Sequence, residues 1–207
     1  MILVFTIASG IALATPATRS ADWIKDSDYP VTEVIRDVQG STRTMLTVGL
    51  DGTIKNCSIA ITSGSKILDD KACLILKKRG HFVPAKDEEG KPIFGSFNSS
   101  VNWFMAKGRS AYRSNDTDLI LVVKKLPKDV KMPSRVIVMA LVDADGRLER
   151  CEPMAEHPNA KVLGPTACSQ VHERIKFLPL LDNAKPVKSV QAVTVGINEE
   201  LSSRSDK

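Results

Sequence analysis

The chain contains an internal repeat, and this repeat constrains the fold more than any other feature of the sequence. Ten residues between positions 51 and 92 recur in the same order 94 or 95 positions later, with one single-residue insertion and one deletion. The first set is Asp51, Gly52, Cys57, Leu68, Ala72, Cys73, Phe82, Pro84, Lys91 and Pro92, and the second is Asp145, Gly146, Cys151, Leu163, Ala167, Cys168, Phe177, Pro179, Lys185 and Pro186. Repetition at this period indicates two copies of one structural unit, each of about 80 to 90 residues.

Composition is typical of globular domains with a basic surface. Hydrophobic residues make up 43% of the 207 positions, and an aromatic content of 5% leaves the core to aliphatic side chains. The net charge of +5 favours weak attraction to polyanions such as the carboxylates of peptidoglycan. Aromatic residues do not interleave the lysine clusters, and the sequence has no phosphate-binding fingerprint and no G-x-S-x-G turn. We therefore predict neither a nucleic-acid partner nor an enzyme, and no cofactor.

The N-terminal residues resemble an export signal. Residues 2–14 are apolar or small, carry no charge and end in Ala12-Leu13-Ala14, which has the form of a signal-peptidase site. The run is shorter than the roughly 20 residues that span a membrane. We predict a signal peptide and leader over residues 1–20, cleavage and a periplasmic location. No Lys or Arg precedes the run, unlike in a typical export signal. An inner-membrane anchor at the N-terminus is the alternative interpretation of the apolar run.

The first copy, repeat 1 (residues 21–107), is predicted to have the order α-β-β-α-β. Apolar residues at helical spacing favour a short helix within 26–39. Asp51-Gly52 separates two alternating segments, which is a strong hairpin signal. A second helix precedes Gly80, and a third strand runs from Ile93 to Met105.

The second copy, repeat 2 (residues 119–200), is predicted to have the order β-β-α-β. Prolines punctuate its opening, so the first helix is predicted to be missing or reduced. A linker is predicted at 108–118 and a disordered tail at 201–207. The predicted fold class is α+β, with two tandem units that each pack one or two helices on a small three-stranded antiparallel sheet.

Repeat 1 resembles the C-terminal domain of TonB-family proteins, which couple the inner membrane to outer-membrane receptors. The segments that match in order and spacing are Tyr29-Pro30, Asp51-Gly52, Ser63-Gly64, Leu68-Asp69, Arg79, Phe82, Pro84-Ala85, Gly90-Lys91-Pro92 and Val101-Asn102-Trp103-Phe104. Repeat 2 resembles a degenerate copy, because Glu156-His157-Pro158 replaces the Ser-Gly turn. Family transducers also carry a membrane anchor and a long proline-rich spacer, whereas the 11 prolines of this sequence are scattered. We therefore do not expect this chain to transduce energy alone.

The four cysteines are predicted to form one disulfide in each repeat. Cys57 lies in a predicted strand and Cys73 on the following helix, and packing of the helix on the strand can bring them together. The same argument pairs Cys151 with Cys168, and an oxidising compartment favours both bridges. Buried free thiols are one alternative. A zinc site of Cys151, His157, Cys168 and His172 is another, but repeat 1 keeps its cysteines without the histidines, so no metal is predicted.

The resemblance implies a partner. In the family, an extended segment of an outer-membrane receptor, the TonB box, pairs with the domain, and this is a case of β-strand addition. The resemblance implies the same mode of binding at the third strand of repeat 1, with Ser99, Val101 and Trp103 as the partner-binding edge. The alternative function is a structural envelope or cell-wall scaffold without a transport role, in which the two copies pair edge to edge or the chain forms a homodimer.

Overall fold

The computed structural model describes residues 10–16, 23–105 and 117–200. Most of the predicted linker, the whole predicted tail and residues 1–9 and 17–20 of the predicted leader lie outside the described residues. Repeat 1 and the leader contribute β1 (Thr15–Pro16), a 3₁₀ turn (Asp26–Asp28), α1 (Val31–Ile35), β2 (Gly40–Val48), β3 (Ile54–Ile61), α2 (Lys66–Arg79), β4 (Phe82–Val83), β5 (Ala85–Lys86) and β6 (Pro92–Trp103). Repeat 2 contributes β7 (Leu119–Val123), β8 (Arg135–Val142), β9 (Leu148–Pro153), α3 (Ala160–Arg174), β10 (Leu180–Asp182), β11 (Lys185–Val187) and β12 (Ser189–Glu199).

The segment before β2 contains the short helix that its apolar spacing predicts. The helix α1 has five residues, follows Pro30 and ends before Asp37, whose φ of 53° is left-handed. The side chains of Val31 and Ile35 are 70% and 78% exposed, so the predicted apolar face does not pack on the core. A proline at the start and a left-handed residue at the end confine the helix to little more than one turn.

The two repeats share one mixed sheet. Its main strand order is β3-β2-β6-β12-β8-β9, and the two repeats meet where β6 and β12 run parallel. This junction has two residue pairs, Phe94 with Ser189 and Gly95 with Val190. The α+β class is confirmed, but the prediction of two separate three-stranded sheets is not. Pairing between the central edges of the two copies satisfies backbone groups that separate sheets would leave exposed.

The helices α2 and α3 lie on opposite faces of this sheet. Successive side chains of a strand alternate between faces, and paired residues share a face. Val101 and Trp103 of β6 lie in the core beneath α2, and so does Val190, which is paired with Gly95. Val193 and Val195 have the other parity and lie in the core beneath α3. The sheet therefore carries a helix-covered core on each side.

Each repeat also extends a short arm over the other. The strand β5 pairs with β6 and lies against β12, whereas β10 lies against β2, β3 and β6. Ala85 in one arm and Leu180 in the other are almost fully buried, and each follows the repeated proline. Glu88 forms an ion pair with Arg150 across the junction. The arms add contacts to a junction that has little strand pairing of its own.

The described part of the predicted leader packs on repeat 1. Ile11 and Ala14 are buried in its core, and Ala12 exchanges two backbone hydrogen bonds of 3.0 Å with Lys86. The strand β1 pairs with β4. Within the described ranges, no helix is long and apolar enough to cross a membrane.

Candidate functional site: a groove along the open edge of β6

The strand β6 has one paired edge and one edge that is largely open. It pairs with β2 over nine residues, from Gly95 to Trp103. Its other edge meets β5 and β12 only at the beginning, from Pro92 to Gly95. Within the described ranges, no strand pairs with this edge from Ser96 to Trp103. The open edge thus presents the kind of backbone template on which an additional strand can form.

A groove runs along the end of this edge. One side is formed by the end of β6 and the residue after it, Ser99–Phe104. The other side, the outer wall, is formed by Ile24, Lys25, Asp26 and Tyr29. We call it the edge groove. Its cavity has a volume of about 360 Å³.

An ion pair fixes the outer wall of the edge groove. The carboxylate of Asp28 is mostly buried and accepts two hydrogen bonds from the guanidinium of Arg79, at 2.5 and 2.9 Å. Arg79 also donates to the carbonyl of Trp23 at 2.8 Å. The hydrogen bond from Arg79 lowers the pKa of Asp28, and burial opposes this effect. Arg79, in the last turn of α2, therefore holds the outer wall in place. This role gives a structural reason for an arginine at this position of the family pattern.

Tyr29 connects the outer wall of the edge groove to Trp103 at the end of β6. Its hydroxyl donates to the carbonyl of Val38 at 2.7 Å and lies 3.3 Å from the carbonyl of Trp103. Its ring packs edge-on against Trp103, with centroids 5.4 Å apart. Burial raises the pKa of the Tyr29 hydroxyl, so it remains a protonated donor at neutral pH. These contacts attach the outer wall to the end of β6.

The three predicted edge residues do not contribute equally accessible side chains. Val101 and Trp103 are each 2% exposed and belong to the core, and the indole nitrogen of Trp103 donates to Thr42 Oγ1 at 3.2 Å. Ser99 is half-buried. The exposed side chains on this stretch are those of Ser100 and Asn102, which the sequence reasoning did not select. A ligand of this edge would meet the backbone first.

A buried carboxylate organises the turn before α2. Asp69 accepts hydrogen bonds from Thr42 Oγ1 at 2.8 Å, Thr62 Oγ1 at 2.5 Å, and both the backbone nitrogen and the hydroxyl of Ser63, at 2.9 and 2.8 Å. Burial raises the pKa of Asp69, but these hydrogen bonds together outweigh it and lower the pKa overall. The partners of Asp69 show that it ties the Ser-Gly turn and β2 to the helix.

The cysteines pair as the sequence predicts. Cys57 is bonded to Cys73 and Cys151 to Cys168, with Cα–Cα distances of 5.7 and 5.6 Å. Each bridge joins an outermost strand of the sheet, β3 or β9, to the helix of the same repeat, and no cysteine is free. In this state neither thiol of repeat 2 can bind zinc. Within the described ranges, no group of three His, Cys, Asp or Glu side chains is placed to hold a metal ion.

Comparison with known families identifies repeat 1. Residues 25–104 match the family model for the C-terminal region of the Gram-negative bacterial TonB protein. The match ends at Phe104 and contains every lining residue of the edge groove except Ile24. No match was found among curated proteins, and none among solved structures. Residues 25–104 therefore carry a domain of the TonB C-terminal family.

Proposed function

We propose that this protein is exported to the periplasm and binds an extended segment of an outer-membrane transport receptor by β-strand addition to β6. The observation that carries the proposal is the open edge of β6 from Ser96 to Trp103, with the edge groove beside its second half. Backbone hydrogen bonds to the edge would supply affinity that depends little on sequence.

Specificity would come from the walls of the edge groove. Lys25 and Asp26 are exposed on the outer wall, whereas Ile24 and Tyr29 are half-buried. Alternate side chains of an added strand point in opposite directions. One set would meet the apolar parts of the groove, and the other would face Lys25, Asp26 and solvent. The chemistry fits a short segment that alternates apolar and polar residues.

Val101 and Trp103 would contribute to the proposed site by supporting β6 rather than by touching the partner. Val101 and Trp103 anchor the strand from beneath, and Tyr29 and Arg79 hold the opposite wall. A preformed groove lowers the ordering cost of binding, because one of the two partners is already fixed.

A photo-crosslinking residue at Ser100 tests the proposal in living cells. Ser100 is exposed and lines the edge groove, unlike the buried Val101. Ser58 is an exposed serine on β3, at the far edge of the sheet, and provides the matched control. We expect Ser100 to capture a segment of an outer-membrane receptor and Ser58 not to. Equal capture at both positions, or capture at Ser58 alone, would contradict strand addition at β6.

A structural role in the envelope is the second candidate, and the junction between β6 and β12 favours it. The two copies do meet edge to edge, although through two residue pairs. A scaffold of this kind would associate with peptidoglycan through its net charge of +5, or with a second copy of the chain. Binding to purified peptidoglycan that weakens steeply above about 0.15 M salt would support it, whereas strand addition depends little on salt.

A further inference from the structure

The open edge of β6 has a counterpart in repeat 2 that is already occupied. The repeat offset of 94 places Val195 and Ile197 at the positions of Val101 and Trp103, and all four side chains are buried. The strand β12 pairs with β8 on one side, as β6 pairs with β2. On its other side β12 meets β6 at the beginning and then β7 from Val195 to Glu199. The strand β7 thus lies on the edge equivalent to the open edge of β6.

The preceding segment of each repeat takes a different position relative to this edge. In repeat 1 the segment Ile24–Tyr29 stands away from β6 and leaves the edge groove between them. In repeat 2 the segment at the same offset, Leu119–Val123, closes onto β12 as a parallel strand with five residue pairs. One chain therefore contains an empty and a filled version of the same edge.

The contacts of β7 show which side chains the edge of β12 accepts. Leu121 is 6% exposed and lies in the core beneath α3, and Leu119 and Val123 pack against the same core. The intervening Ile120 and Val122 are 59% and 66% exposed. The edge thus takes aliphatic side chains at the first, third and fifth positions of a parallel strand.

The attachment of β7 is limited in extent. The strand has five residues, and within the described ranges β12 is its single strand partner. At its beginning, the backbone nitrogen of Asp118 donates to the carbonyl of Thr194 at 2.8 Å, and the carboxylate of Asp118 accepts from the nitrogen of Thr194 at 2.7 Å. Short peripheral strands with few partners open at lower free energy than central ones.

We propose that the edge of β12 from Val195 to Glu199 is a second acceptor site, which β7 occupies within the chain and which an extended partner segment with aliphatic residues at alternate positions can occupy in its place. The proposal rests on the strand-addition function proposed above and extends it to repeat 2. Release of β7 changes the protein from one acceptor edge to two.

Two matched substitutions in the full-length protein test this proposal. Leu121→Ala removes the buried side chain of β7, and Ile120→Ala removes a neighbouring, exposed one of the same size. The probe is a fluorescent peptide with the sequence of residues 117–125. We expect the L121A protein to bind it at least tenfold more tightly than the I120A or the unsubstituted protein. Hydrogen exchange should show loss of protection at Gly196 and Asn198, whose backbone faces β7, in L121A and its recovery when the peptide is added.

The proposal is overturned if L121A retains the circular dichroism spectrum of the unsubstituted protein but gains no affinity, or if the amides of Gly196 and Asn198 stay protected without the peptide. It is also overturned if L121A forms dimers that exchange β7, because the occupant would then be a second copy. If L121A does not fold, Asp118→Ala is measured in the same way, since it removes the side-chain acceptor for Thr194. The readout is at β12, so failure here is separate from failure of the Ser100 crosslink at β6.

Discussion

The guanidinium of Arg79 and the carboxylate of Asp28 form a mostly buried ion pair that connects the end of α2 to the outer wall of the edge groove. The two residues are 51 positions apart, and one belongs to the helix while the other belongs to a 3₁₀ turn. The shape of the groove therefore depends on a charged contact that lies beside it.

This ion pair predicts a loss of stability in acid. The pKa of Asp28 is lower in the folded protein than the value of about 3.9 for an unfolded chain. Its contribution to the free energy of unfolding is thus complete above about pH 5 and is lost as the pH falls through the folded pKa. We expect Asp28→Asn to flatten the dependence of the urea midpoint on pH between about 5 and 2.

The control for this measurement is Asp26→Asn, at an exposed position of the same 3₁₀ turn. Its pH profile should follow that of the unsubstituted protein. An Asp28→Asn profile as steep as that of the control would show that the ion pair does not contribute. Some slope should remain in every case, because the pKa of Asp69 is also lowered.

The neighbouring acids Asp69 and Asp70 are predicted to differ strongly in importance. Asp69→Ala leaves four donors without their acceptor, three of them side-chain hydroxyls. We expect a loss of at least about 2 kcal/mol in the free energy of unfolding, measured in urea. Asp70 is exposed and pairs with Lys66 at 2.6 Å, one turn earlier, so Asp70→Ala should change stability by less than about 0.5 kcal/mol. Similar losses of stability for the two variants would contradict the structural role assigned to Asp69.

Gly52 and Gly90 offer a test of close packing at a turn. Both have positive φ, 76° and 78°, so alanine is strained at either position by about 1 kcal/mol. A Cβ atom at Gly52 would lie 2.1 Å from the carbonyl oxygen of Phe82, whereas one at Gly90 would meet nothing within 4 Å. We expect Gly52→Ala to cost about 1–3 kcal/mol more than Gly90→Ala in thermal or urea unfolding. Equal costs would show that the turn shifts freely.

The disulfides are predicted to stabilise each repeat separately. The bridges close loops with sequence separations of 16 and 17 residues, which corresponds to about 3 kcal/mol each in the chain-entropy model. The paired substitution Cys57→Ala and Cys73→Ala should lower the free energy of unfolding by that amount, and addition of a reductant should then affect only the bridge of repeat 2. A double variant as stable as the oxidised parent would refute the prediction.

Local patterns in the sequence predicted the internal architecture of each repeat. Asp51-Gly52 and Asp145-Gly146 indicated the hairpins, because the glycines supply the left-handed conformation that such turns need. The pairing of Cys57 with Cys73 followed from the packing of a helix on the preceding strand. These features depend on residues that are close in sequence, and each has one geometric solution.

Features that depend on long-range contacts were not predicted. The strand β7 has five apolar residues after a polar linker, and its pairing with β12 depends on residues more than 70 positions away. The same holds for Asp28, which acquires its role through Arg79. The apolar spacing of Val31 and Ile35 predicted a short helix, but not that both side chains would be exposed. The predicted edge strand was located by resemblance, whereas the accessible side chains on it, Ser100 and Asn102, required the three-dimensional burial.

Each disulfide lies within its own repeat, and neither connects the two repeats. A change of redox potential acts on the rigidity of each half, because each bridge ties one strand to its own helix. The position of one repeat relative to the other does not involve a disulfide. It depends on the β6–β12 contact, the crossing arms and the ion pair between Glu88 and Arg150. Reduction or oxidation therefore changes the rigidity within each repeat, whereas salt changes the contact between the two repeats.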